Sequence, residues 1–163
     1  MKTKKAFRAY CYKIGNDTES RFKKLLESKG FEVIKSSRSE DMFDHIDFFV
    51  KGYGIDVKGN RYTNTIWLEI QNVRGEDGWL KGKAKYIVFD IIDLQEFVFF
   101  YRQDLLEYVQ QFTETTDNNK EHLKWYSRTK WDRNDKIIKV KYKHIKHLQI
   151  KNYSYATTFS KTK

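Results

Sequence analysis

The stretch HIDFFVKGYGIDVKGN, residues 45–60, decides how this chain folds. Ile46, Phe48 and Val50 alternate with His45, Asp47, Phe49 and Lys51, and Ile55 and Val57 alternate with Asp56 and Lys58. A period of two places successive side chains on opposite faces of a strand. Between the runs, Gly52 and Gly54 relieve the steric cost of positive φ, so the pair reads as a hairpin. With Gly52 and Tyr53 as its two-residue loop, Lys51 pairs with Gly54, Asp47 falls opposite Lys58, and Phe49 falls opposite Asp56. Opposite residues share a face, and diagonal neighbours stand roughly 7–8 Å apart. Asp47, Asp56 and Lys58 then point the same way, whereas a one-residue change in the loop would turn Asp47 to the other side.

Two carboxylates so placed suit a hard divalent cation, which takes oxygen ligands and keeps waters that a phosphate can displace. A lysine beside them can hold or help deprotonate an attacking water, because an ammonium buried among charges shifts its pKa. That is the apparatus of metal-assisted phosphodiester hydrolysis. The bland alternative is a solvated hairpin face.

Asp47, eight residues, then Asp56-Val57-Lys58 resembles the signature of the PD-(D/E)XK nucleases, with Ile46 standing where the family name has proline. That family includes restriction endonucleases, Holliday-junction resolvases and phage exonucleases. The resemblance implies an α/β (α+β) fold, a restriction-endonuclease-like mixed central sheet of about five strands flanked by helices. It also implies Mg²⁺, or Mn²⁺ in its place, held by Asp47, Asp56 and the Val57 carbonyl, with Lys58 positioning or activating water. Many members carry an acidic residue on the helix before the first core strand, and Glu19 fits that place.

Around the hairpin, a first helix is expected from Asp17 to Lys29, capped by Asn16 or Asp17 and ended by Gly30, with Phe22, Leu25 and Leu26 as its apolar stripe. Glu19 falls on or beside that stripe. With Asn16 as cap it could also close a capping-box-like pair. FEVIK (31–35) reads as the first strand and residues 36–44 as a polar connection. TIWLEIQN (65–72) reads as a strand; if its Ile66, Leu68 and Ile70 pack on the first helix, Glu69 and Gln71 are either solvated or extend the active face. In residues 73–86, Lys81, Lys83 and Lys85 follow Trp79 and suit contacts to a phosphate backbone, unless the segment is a plain loop anchored by Trp79. The E-I-Q-N strand and G-W-x-x-G-K-A loop are similar to those of phage-like nucleases, which widens the resemblance to residues 17–92. Further strands (86–92, 96–101, 137–142), a helix over 102–112 and a loose tail from Asn152 complete the expectation.

The 163 residues read as a single domain, 1–163, able to bury roughly 70% of its unfolded surface. Much of its apolar mass is aromatic, with 12 Phe, 11 Tyr and 4 Trp. One cysteine, Cys11, leaves no intrachain disulfide and fits a reducing compartment. No apolar run approaches the ~18 residues of a membrane helix, so a soluble, cytoplasmic protein without a membrane partner is expected. The net charge of +10 is unevenly spread. Residues 1–117 hold 19 Lys+Arg against 19 Asp+Glu, while residues 118–163 hold 13 against 3. Cations interleaved with Trp125, Tyr126, Trp131, Tyr142, Tyr153 and Tyr155 suit nucleic acid, with Arg128, Lys130 and Arg133 as candidate contacts. A solvated basic surface or an acidic protein partner is the alternative.

His144 and His147 lack the companions of a zinc site, and no Walker loop or G-x-S-x-G elbow occurs. The expectation is a Mg²⁺-dependent phosphodiester hydrolase, a DNA endonuclease that leaves 5′-phosphate and could be junction- or structure-specific. A catalytically silent nucleic-acid-binding protein on the same fold is the alternative, and analogy with resolvases leaves a homodimer open.

Overall fold

The computed structural model describes residues 4–111 and 135–156. The central hairpin forms from β2 (Phe48–Val50) and β3 (Tyr53–Arg61), but two residues out of the expected register. Val50 pairs with Tyr53, Phe49 with Gly54 and Phe48 with Ile55. Lys51 and Gly52 therefore form the turn, with φ of 51° and 76°. A two-residue turn that matches strand twist needs positive φ at both positions, and placing Gly52 second leaves Lys51 to bear the strain in the first. Because the shift is two residues and not one, the side-chain parity survives.

β1 (Ile34–Lys35) is shorter than expected and pairs with β2. Between them a π-turn, Glu40–Asp44, occupies part of the expected polar connection. On the other side β3 runs parallel to β5 (Tyr86–Ile91). β6 (Glu96–Tyr101) continues antiparallel to β5, and β8 (Gln149–Ser154) lies antiparallel to β6. The main sheet thus has six strands in the order β1-β2-β3-β5-β6-β8. The expected mixed sheet flanked by helices is the observed architecture, one strand larger.

Parallel neighbours need a crossover that passes over one face of the sheet. Residues 62–85 make it, and β4 (Ile66–Gln71) lies within it. β4 accordingly leaves the main sheet and pairs with β7 (Lys136–Val140) in a two-stranded sheet of its own. Its Ile66 and Leu68 pack not on the first helix, as expected, but with Ile138, Val140 and the Leu105 and Val109 of α2 (Arg102–Gln110), against Ile87, Phe89 and Phe100. A short helix, α3 (Tyr142–Ile145), adds Tyr142 and Ile145 to this core.

The opposite face is covered by α1, which runs Lys4–Ser28 and not from Asp17. Residues 4–14 contain no breaker, and one glycine in a helix costs only about 1 kcal/mol, so the helix passes through Gly15. Its first turns are solvated, with Phe7, Tyr10 and Tyr12 exposed. Further on, Phe22, Leu25 and Leu26 pack on Phe48, Val50, Ile55, Val57, Val88 and Phe97. Full burial of a ring such as Phe22 stabilises by about 1.5–3 kcal/mol.

Two features dock α1. At Gly59 a Cβ atom would lie 2.3 Å from the Thr18 hydroxyl, so the helix approaches β3 as closely as it does only because residue 59 has no side chain. On β5, the fully buried Asp90 pairs with Arg21 of α1 and accepts the Tyr155 hydroxyl at 2.8 Å. Tyr155 directly follows β8, so the expected loose tail is a paired edge strand as far as Ser154 and ordered through Tyr155. Its polar composition conceals two anchoring rings, Tyr153 against Phe99 and Tyr155 against Phe97.

Candidate active site

Ile55 and Val57 point into the core beneath α1, so Asp56 and Lys58 face the other side of the sheet. Just before β2 begins, Asp47 donates its N–H to the Ile55 carbonyl at 2.8 Å, and its carboxylate accepts the Val57 N–H at 2.7 Å. The side chain thereby takes a backbone donor of β3 as its own partner and is fixed beside Asp56. Both acids are buried, 8% and 2% exposed. Lys58 Nζ reaches Asp56 Oδ1 at 2.7 Å, while Asp56 Oδ2 is buried without a hydrogen-bond partner. Burial pushes the Asp56 carboxyl up to about 8; the Asp47 charge adds to this and Lys58 opposes it.

Lys58 also lies over the Trp79 ring, 5.1 Å from its centroid, a cation–π contact that sets the ammonium from below. Trp79 is buried at the start of a 3-10 turn, Trp79–Lys81. The loop carrying it is pressed against its surroundings. A Cβ on Gly78 would meet the Glu69 carbonyl oxygen at 2.8 Å, and one on Gly82 would meet the Asp44 carbonyl oxygen at 2.8 Å. The loop is thus a packed support for the lysine.

Glu19 follows Thr18, the α1 residue that rests on Gly59. It is held by Lys35 of β1 at 2.6 Å. Burial raises its pKa, Lys35 opposes the rise, and the charge of Asp47 adds to it. With α1 starting at Lys4, Glu19 sits well inside the helix, and its expected capping role falls away. His45, half-buried with φ of 54°, completes this corner. Burial, and then the charge of Lys58, lowers its pKa.

The fold thus gathers Asp47, Asp56, Lys58 and Glu19, four of the residues singled out from sequence, with Val57 between two of them. The remaining candidates lie elsewhere. Glu69 and Gln71 are on β4 in the second sheet, and Glu69, like Asp56, bears electrostatically on Arg61. Lys81 pairs with Asp77 at 2.8 Å, Lys83 with Asp44 at 2.9 Å, and Lys85 sits 3.7 Å from the centroid of Tyr53. These three form no row on one strand; each is an exposed lysine with a local partner. Asp44, next to His45, is engaged with Lys83. Arg128, Lys130 and Arg133 lie outside the described residues.

A hard cation asks for oxygen donors and for negative charge to balance it. Asp56 Oδ2, a buried carboxylate oxygen with nothing to accept from, next to a second carboxylate, meets both demands. Among the described residues no group of three or more His, Cys, Asp or Glu side chains is gathered to hold a metal. Two carboxylates completed by water and substrate phosphate are how Mg²⁺ is commonly held, so the donor set fits that ion better than a closed cage.

No protein-family model, curated protein or solved structure matches the chain. Among the described residues no helix is long and apolar enough to cross a membrane. Three contributors had no sequence signal: Lys35 as the partner of Glu19, Trp79 as the ring under Lys58, and Arg61.

Proposed function

We propose that this protein is a metal-dependent nuclease of the PD-(D/E)XK type that hydrolyses phosphodiester bonds, with DNA as substrate and Mg²⁺ as cofactor. The observation that carries the reading is the Asp56 carboxylate, buried with one oxygen on Lys58 and the other unpartnered beside Asp47. A buried acid pair beside one lysine is a poor stabilising device in isolation, because desolvation of the charges offsets their attraction. It is suited to a site where a cation completes the balance.

Bound there, a divalent cation supplies polarisation of the phosphate and a lowered pKa for water. Asp47 and Asp56 would hold it, with the Val57 carbonyl as the further ligand that the family resemblance implies. Lys58, steadied by Trp79, would orient the water for in-line attack and leave a 5′-phosphate. Glu19, which feels the charge of Asp47, would be a supporting carboxylate of the site.

The test is cleavage of a labelled panel of duplex, single-stranded and branched DNA and RNA with Mg²⁺, Mn²⁺ or EDTA. Parent, Lys58→Ala and Asp47→Asn are compared. Cutting is expected with metal only, and loss of the lysine should slow it by about 10²–10⁴-fold, the usual weight of a positioned proton-transfer group. Asp47→Asn should abolish cutting while leaving the fold intact, since an amide oxygen can still accept the Val57 N–H. Salt-sensitive binding of the panel without cutting under any metal would instead favour a nucleic-acid-binding module, with residues 118–163 as its working part. Size measured during the same runs would reveal a homodimer.

A further inference from the structure

β3 carries one more charged side chain beyond the lysine. In the parallel ladder with β5, Lys58 pairs with Phe89 and Arg61 with Ile91, three steps along one strand against two along the other. In a regular strand, residues three apart point to opposite faces. Here the extra residue of the bulge restores the parity, a known way for a strand to re-aim a side chain beside a site. Phe89 and Ile91 both belong to the core on the crossover side of the sheet. Arg61 therefore shares the face of Asp56 and Lys58.

Two carboxylates bear on the Arg61 guanidinium without satisfying all of its donors. Its Nε is buried with no hydrogen-bond partner, an arrangement proteins rarely tolerate without a use. The carboxylates that bear on it are Asp56 on its own strand and Glu69 on β4, and burial lowers its pKa to about 10. It stays charged at any physiological pH. A planar, permanently charged fork with an open donor, one bulge away from an acid pair, matches the geometry of a phosphate oxygen better than a lysine would.

We propose that Arg61 is a substrate-binding residue that grips a non-bridging oxygen of the scissile phosphate, with Glu69 steadying the guanidinium from β4. This rests on the nuclease reading above. Charge builds on that oxygen as the phosphodiester is attacked, so the contact strengthens towards the transition state and should act on kcat more than on KM. The bulge at residues 59–60 then has a purpose, since straightening it would turn Arg61 into the opposite core. Glu69, expected to join the metal site, acquires a different role, the orientation of a cation.

The experiment compares the full-length parent, Arg61→Ala, Arg61→Lys and Lys58→Ala on the best DNA of the panel in Mg²⁺. Thermal melting of each variant is recorded, and Arg61→Ala is assayed again with millimolar guanidinium at constant ionic strength. Loss of one preorganised donor to developing charge lowers kcat by about 10²–10³-fold. That fall is expected for Arg61→Ala with KM little changed, partial activity for Arg61→Lys, and recovery on adding guanidinium but not NaCl. A purely structural arginine would lower the melting temperature and show no rescue, which would overturn the proposal, as would parent-like kcat in Arg61→Ala. If the parent cuts nothing with any metal, the nuclease reading itself fails and takes this inference with it, whereas parental cutting without the arginine effect sinks the inference alone.

Discussion

At the scale of the residue, Asp56 makes the most direct prediction. In an unfolded chain its carboxyl ionises in the ordinary range near 3.8, while in the folded, metal-free protein it holds its proton up to about 8. Between those values the folded state binds more protons than the unfolded state, so stability must fall as pH rises through that window. The metal-free parent should therefore melt progressively lower from pH 5 to pH 8, and Asp56→Asn should flatten the profile. On the proposed reading Mg²⁺ would bind the ionised acid, so its addition should raise the melting temperature of the parent increasingly as pH approaches 8, and hardly that of Asp56→Asn. A parent whose melting temperature rises with pH over this range would show that Asp56 is not a buried, protonated acid. The facing of this residue was legible in the sequence because side-chain alternation is a local property. The contribution of Arg61 was hidden, because its parity depends on a bulge that only the pairing with β5 creates.

The element that matters most is α1, and its position depends on a missing atom. A methyl group at residue 59 would press on Thr18, which has a short, branched side chain with no room to swing away. Gly59→Ala should cost about 1–3 kcal/mol, the range for overpacking a tight contact, and each 1 kcal/mol lowers the melting temperature of a chain this size by about 2–4 °C. Because Glu19 is next to Thr18, metal affinity in calorimetric titration should weaken as well. Unchanged melting and affinity would mean that the helix is held from elsewhere. The apolar stripe of α1 was readable from Phe22, Leu25 and Leu26, but its beginning was not, since helix propensity alone carries residues 4–14 and nothing in them marks a start. The hairpin turn was misplaced by one residue, and its pairing register by two, for a similar reason. Lys51 at positive φ leaves no trace in composition, whereas the neighbouring glycines do. The strands β5 and β6, continuous apolar runs, were found almost to the residue.

For the whole molecule, the layers follow from one parallel joint between β3 and β5. That joint forces a crossover, the crossover carries β4 out of the sheet, and β4 with β7 and α2 builds the second core. None of this is written in any local pattern, which is why β4 looked like one more strand of a simple sheet packed on α1. The C-terminal strand looked like a tail for the same reason, because its partner β6 lies some 50 residues earlier in the chain. Tyr155→Phe tests how far this long-range closure reaches. Losing a hydrogen bond to the buried Asp90 charge should cost about 1.5–3 kcal/mol. Amide exchange should speed up across α1, which shares that carboxylate through Arg21, and not only in β8. Exchange confined to β8 would show that the two ends are independently held.

The Asp90 contact also has a consequence in time. During synthesis α1 emerges well before its fastening: the carboxylate that pairs with Arg21 arrives with residue 90 and the hydroxyl that completes the contact arrives with residue 155. Until then Glu19 is carried on a helix whose lock is unfinished. A growing chain would therefore carry its acidic corner unassembled until residue 155 has emerged, so that this corner is set by the far strand of the sheet as much as by its own residues.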